Sequence, residues 1–281
     1  MSDSENLTTS ELWAAFRTHW LWIAAAPAFA LLAGLATIAL SHDVYRSEAV
    51  LAPVGDEDAG MQLTKLGSQM GNLASLVGIP LPTGSAVATH VATLRSKELI
   101  ARFVEEKNLL PVLFADDWNA DERVWRKNPS PTLEEAVIVM DEEVRSVFED
   151  KESGIVVLRV DWQDPQLAAE WAREIVNRAN SVLRTTAIAE AKSSMEYLQR
   201  ELQKTNVVEL QNAIFRLMES QTQKIMIANV RPEYAFRIVD PPRVSDQDDP
   251  VWPNAPLILV VAAFAGVALA FLLAAVLARR R

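Results

Sequence analysis

The chain has 281 residues, a net charge of −10 and no cysteine. The acidic balance excludes a nucleic-acid-wrapping protein, and the absence of thiols excludes disulfides, thiolate metal sites and a cysteine nucleophile. Half of the residues are hydrophobic, but they are spread unevenly along the chain.

Residues Met1–Trp20 carry Asp3, Glu5 and Glu11 against Arg17, a poor positive region for a cleaved signal. Glu11–Trp20, with Leu12, Trp13 and Phe16, reads as a short amphipathic lead-in at the inner membrane interface. Leu21–Leu40 contains no charge and is long enough to cross a bilayer as an uncleaved helix. Trp20 and Trp22 suit its interface, and Pro27 is a kink that neighbouring helices tolerate. Ala255–Ala278 is equally free of charge and forms the second expected span, with Trp252 at its outer end. Arg17 and Arg279–Arg281 flank the two outer ends, whereas only Arg46 and Arg243 lie just inside. That bias places both termini in the cytoplasm and residues 41–254 outside it. The Arg279–Arg281 tail suits an anionic cytoplasmic leaflet.

After the first span, Val44–Ala52 alternates as a strand and ends at Pro53 and Gly55. Gly60–Gly84 interleaves Gly67, Gly71, Gly78 and Gly84 with Leu66, Met70, Leu73, Leu76 and Leu81. It reads as an apolar flap packing on its own core or on another subunit. Ala86–Asn108 is expected as one helix, with Leu94, Leu99, Phe103 and Val104 on one side. Pro111–Pro131 is expected to be irregular and carries Trp118 and Trp125. Leu133–Glu143 reads as a helix. Val144–Glu149 and Ile155–Asp161 read as a hairpin around Lys151–Gly154, where Gly154 can take a positive φ.

From Asp164 to Val230 there is one proline, Pro165, and no glycine. Asp164 is a natural cap and Pro165 suits the first helical position. Ala172, Ile175, Ala179 and Val182, then Ile188, Ala191, Met195, Leu198 and Leu202, recur at helical spacing, with a slip near Ala187–Ala189. Asn206 with Glu209 forms a second start signal, a capping box. The reading is a helix of roughly 58 Å, a break near Lys204–Asn206 and a return helix of roughly 33 Å. One continuous helix is the alternative. Tyr234–Val239 alternates as a last strand, and Asp240–Pro256 follows with Pro241, Pro242, Pro250, Pro253 and Pro256. Such proline density keeps the approach to the second span extended. Its Asp246, Asp248 and Asp249 read as solvated charge.

The expected fold is therefore an α+β membrane protein. Two transmembrane helices flank an outer domain with a membrane-proximal mixed α/β base and a long helical hairpin arm over 165–228. Ala26, Ala30 and Gly34 in the first span, and Ala262, Gly266, Ala270 and Ala274 in the second, fall four apart. Small residues at that spacing let helices approach closely, within or between subunits.

Chemistry is hard to find. His19, His42 and His90 do not cluster, so no metal site is expected. There is no Gly-x-Ser-x-Gly elbow and no phosphate loop. Asp116/Asp117 and Glu142/Glu143 are sequence neighbours without the spacing a glycosidase needs, and read as solvated faces. The expectation is a non-enzyme with no cofactor.

Tyr45-Arg46-Ser47-Glu48-Ala49, the Gly/Leu flap, Leu94-Arg95-Ser96 and the strand leading into Asp164-Pro165 stand in a telling order. Glu233-Tyr234-Ala235-Phe236-Arg237-Ile238-Val239-Asp240-Pro241-Pro242 completes it before the second span. With its two flanking spans, the chain resembles the polysaccharide chain-length determinants, the Wzz-type polysaccharide co-polymerases, over nearly its whole length. The resemblance implies a ring of identical subunits in the bacterial inner membrane, its bulk periplasmic. It implies control over how many repeat units a membrane polymerase adds to a lipid-linked glycan, whether O-antigen, capsule or exopolysaccharide. The arm is short for that family. Asn254-Ala255-Pro256 stands where a basic residue is often found, and any kinase would be a separate protein. A second reading is an inner-membrane adaptor for polysaccharide export to an outer-membrane channel. A two-span sensor is disfavoured by the short flanking segments.

Overall fold

The computed structural model describes residues 9–54 and 85–279. The flap expected over Gly60–Gly84 lies outside the described residues. The chain divides into two compact units, Met1–Tyr45 with Asp246–Arg281, and Arg46–Ser245.

The first unit contains helix α1 (Thr9–Leu40) and a helix near the other terminus, Ala255–Arg279. The sequence suggested a separate lead-in before the first span; the helix instead runs unbroken from Thr9 through Pro27 to Leu40. Ala255–Leu272 is long and apolar enough to cross a membrane, with a mean hydropathy of 2.6, and Ala25–Leu40 is a shorter apolar helix. Their large side chains point outward: Phe29 is 75% exposed and Phe264 74%. A face of that kind is costly in water and at home in hydrocarbon. Asn254 starts the second of these helices, its Oδ1 accepting from Leu257 N at 3.2 Å, and Pro256 sits in the first turn, where no N–H is needed. Before it, Val44 N donates to Trp252 O and Val251 N donates to Val44 O, each at 2.9 Å.

The second unit is built on a four-stranded sheet. Its strands are β1 (Tyr45–Pro53), β4 (Arg145–Glu149), β5 (Val156–Trp162) and β6 (Phe236–Asp240), in the order β4-β5-β1-β6. The four stretches read as strands thus join one sheet. β1 alternates because one face is buried: Ser47, Ala49 and Leu51 point inward while Glu48 is exposed. β5 does the same with Val156, Leu158 and Val160. β4 and β5 pair antiparallel from Arg145↔Val160 to Glu149↔Val156. Their turn is closed by Ser153 Oγ donating to Asp150 Oδ2 at 2.6 Å and by Gly154 at φ 69.

Helices α2 (Ser85–Leu94), α3 (Lys97–Lys107), α4 (Leu110–Leu113) and α5 (Leu133–Val139) help to build the core around the sheet's inner face. The single helix expected over Ala86–Asn108 is broken at Arg95–Ser96. The helix expected to reach Glu143 passes at Met140 into a π turn, Met140–Val144. Between α4 and α5, where irregular chain was expected, β2 (Trp118–Asn119) and β3 (Val124–Trp125) pair antiparallel. Their two indoles meet edge to face with centroids 4.8 Å apart.

Helix α6 (Pro165–Lys204) follows β5, and α7 (Val208–Val230) packs back along it. The break at Thr205–Val207 excludes one continuous helix. Asp164 Oδ1 accepts from Gln166 N at 2.8 Å and Leu167 N at 3.3 Å. The capping box expected at Asn206 and Glu209 does not form. Val207 is the cap residue and makes no side-chain bond. Instead Gln211 Nε2 donates to Thr205 O at 3.0 Å, so the chain closes its turn one residue later. A true capping box forms elsewhere, between Thr132 and Glu135. No break accompanies the slip near Ala187, since Ala187 and Ala191 carry the buried face straight on.

Candidate functional site

Three sets of residues bear on function: the small-residue faces of the apolar helices, the motif strand β1, and the helical pair α6/α7.

The Ala255–Arg279 helix is named α8 from here. Gly34 lies against Ala262: a Cβ on Gly34 would meet the Ala262 Cβ at 3.0 Å. A Cβ on Gly266 would fall 2.6 Å from Pro27 Cα and 3.0 Å from Ala30 Cβ. Ala26 and Ala270 are both buried and form their own apolar cluster. These residues therefore face one another inside a single chain, on antiparallel helices, and Ala274 follows one step further along α8. Only glycine at 266 lets α8 approach the proline ring of α1 so closely.

On β1, the motif residues tie the strand to its surroundings. Arg46 forks onto Asp161, Nε to Oδ1 at 2.8 Å and Nη2 to Oδ2 at 2.7 Å. That pair holds the guanidinium above its ordinary range, the Asp161 hydrogen bond being the leading cause. Arg159 Nε lies 2.6 Å from Glu48 Oε1, and its guanidinium also lies over the Phe148 ring. Ser47 Oγ donates to Arg243 O at 2.8 Å, while Ser245 Oγ donates to Arg46 O. In the other unit, Tyr45 OH donates to Gln247 O at 3.2 Å. The returning segment after β6 thus lies along the motif strand. Of its prolines, Pro242 and Pro253 are buried, Pro250 is half-buried and Pro256 is exposed.

Two buried polar residues hold this base together, and the sequence reading missed both. Arg145 Nη1 donates to Leu94 O at 2.5 Å and Nη2 to Arg95 O at 3.2 Å, and the guanidinium pairs with Asp141. It therefore closes the end of α2 within Leu94-Arg95-Ser96, where helix carbonyls lack partners. Burial lowers the Arg145 pKa, and Asp141 opposes that shift. Asn180, inside α6, accepts from Ala235 N at 2.9 Å and Phe236 N at 2.8 Å, and donates to Phe236 O at 2.9 Å. It anchors the start of β6 to α6.

The helical pair differs. Along α7, Ile214 and Ala228 are buried, but Val208, Phe215, Met226 and Val230 are exposed. Those four fall close to one line along the helix at 100° per residue.

Among the described residues no group of three or more His, Asp or Glu is placed to hold a metal. Arg46 with Asp161, Arg145 with Asp141 and Arg159 with Glu48 are engaged in ion pairs.

Residues 5–107 match the family model of Wzz, the chain length determinant protein. The match takes in the motif strand and Leu94-Arg95-Ser96, so the family resemblance read from the sequence is shown over those residues. Among solved structures, the chain is similar to a full-length bacterial polysaccharide co-polymerase at 12% identity and a TM-score of 0.38, covering 94% of this chain and 95% of that one. It is also similar to a fragment of WzzB, a polysaccharide co-polymerase from Salmonella Typhimurium, at 13% identity and a TM-score of 0.27, covering 74% and 99%. No curated protein matches the chain.

Proposed function

We propose that the chain is a non-enzymatic polysaccharide co-polymerase that sets the length of a lipid-linked surface glycan. The family match over residues 5–107 carries this reading. In it, α1 and α8 span the inner membrane, both termini are cytoplasmic and residues 41–254 are periplasmic. Several copies assemble into a ring-like scaffold that works with a membrane polymerase and its lipid-linked substrate. The outward apolar faces of α1 and α8 support the two spans, and the exposed row on α7 supports assembly. The small-residue faces are engaged with each other within one chain. In this proposal the polymerase therefore docks on the outward faces of the pair.

The test is deletion of the gene. The glycan should still be made, with a broadened length distribution that the wild-type gene restores. An unchanged distribution sinks the proposal. Polymer accumulating inside the cell at unchanged length would favour the export adaptor instead.

A further inference from the structure

Among the described residues nothing covers the apolar row on α7, where Val230 is 78% exposed, Met226 61% and Phe215 54%. Ala228 is fully buried. At 100° per residue it falls about 160° around the helix from both Met226 and Val230. The row therefore faces away from the side on which α7 packs along α6.

Residues 55–84 lie outside the described residues, but both ends of that stretch are held on α6. Just before it, Val54 N donates to Ala235 O at 2.8 Å, and Ala235 N donates to Asn180 Oδ1 of α6. Just after it, α2 starts at Ser85 and packs against α6. The chain thus leaves and re-enters on the α6 side of the helical pair, while the row faces the other way.

The sequence of this stretch supplies what the row lacks. Leu63, Leu66, Met70, Leu73 and Val77 recur at alternating steps of three and four, the spacing of an apolar stripe that seats along a helix. Wound as a helix, the stripe would be roughly 21 Å long, against roughly 22 Å from Phe215 to Val230 on α7. About eight residues precede the stripe and about seven follow it, and at ~3.3 Å each when extended they reach roughly 23–26 Å. That exceeds the separation of packed helix axes, about 8–10 Å.

We infer that the Leu63–Val77 stripe of one copy seats on the Phe215, Met226 and Val230 row of the next copy. The inference rests on the co-polymerase reading for assembly and names the surfaces that carry it. To reach its own row the stripe would have to wrap around the pair from the α6 side. A neighbour placed head to tail presents its row to that side without such a wrap. Contacts between two different faces of this kind close into a ring when the rotation between copies closes.

The test uses the full chain in detergent, which carries no native cysteine. One chain with Met70→Cys and a differently tagged chain with Met226→Cys are produced together and oxidised. Disulfide-linked dimers joining the two tags are expected, at least tenfold more abundant than those from either chain alone. A chain carrying both substitutions should give a ladder of linked copies. Absence of linked dimers, equal linking by either chain alone, or a doubly substituted chain that links only within itself would overturn the inference. The last result would place the stripe on its own row. As a second measurement, Leu66→Glu with Leu73→Glu should lower the assembled fraction at least tenfold in sedimentation, with melting curves checking that it folds. Unchanged assembly of that folded variant would also overturn the inference. The two readings fail separately. If gene deletion broadens glycan length but the two chains do not link, the docking is wrong and the co-polymerase reading stands. If deletion leaves length unchanged, the co-polymerase reading fails however the copies link.

Discussion

The sheet-centred base and the α6/α7 pair share one unit but are held by different means. In the base, Phe103, Phe236, Leu51, Leu94 and Ile100 are fully buried. Arg145 and Asn180 lock its breaks and strand ends through bonds to backbone atoms 50 to 56 residues away. In the pair, contact runs through small residues such as Ala187, Ala191 and Ala228, and much apolar surface stays outside. The lesson is that the base buries its own apolar surface, whereas the pair leaves an apolar row exposed, which the proposed assembly would cover. Substitutions in the base should cost stability; substitutions on the outer row of α7 should cost assembly.

The largest expected effect is at Arg145. Arg145→Met leaves Asp141 unpaired and the Leu94 and Arg95 carbonyls unsatisfied, costing about 3–5 kcal/mol of unfolding free energy in urea titrations. A change under about 1 kcal/mol would refute the clamp. Asn180→Ala strands two buried N–H groups and a carbonyl, and should cost about 3 kcal/mol by the same measurement. A near-neutral result there would mean that water replaces the amide.

A third experiment addresses the apolar helices and exploits the absence of cysteine. With cysteines placed at Gly34 and Ala262, oxidation should crosslink α1 to α8 within one chain, since the Cβ of residue 34 would lie 3.0 Å from that of Ala262. Migration as a single chain is expected, while crosslinked dimers would assign the face to a subunit interface. Gly266→Leu, which drives a side chain into Pro27, should reduce that crosslink several-fold.

The smallest effect concerns pH. Bonds from Thr132 N and Oγ hold the Glu135 carboxyl below its ordinary value, the backbone bond being the larger cause. A lowered folded-state value stabilises above the ordinary glutamate range and loses that contribution as pH falls through it. The difference in melting temperature between wild type and Glu135→Gln should be small at neutral pH and should vanish on acidification. A difference that grows in acid would contradict the capping role.

Much of this frame was legible in the sequence, for physical reasons. β1 and β5 announce themselves because burial on one face enforces a period of two, and Asp164-Pro165 signals a helix start through purely local bonds. The break at Arg95–Ser96 was not legible: no glycine or proline marks it, and its clamp comes from Arg145, 50 residues on. Asn180 looked like an ordinary polar residue on a long helix, because its partners are backbone atoms that no side-chain pattern encodes. At Asn206 the local signal was present and lost to a competitor, the reach of Gln211 back to Thr205.

The central claim is that an assembly built through the helical pair governs glycan length. The most direct test is the glycan length distribution in cells producing the chain with Phe215→Glu and Met226→Glu together. Both side chains are exposed, so the purified variant should melt within about 0.5 kcal/mol of wild type. It should nevertheless give the broad distribution of the deletion strain. A wild-type modal length from that variant would contradict the account.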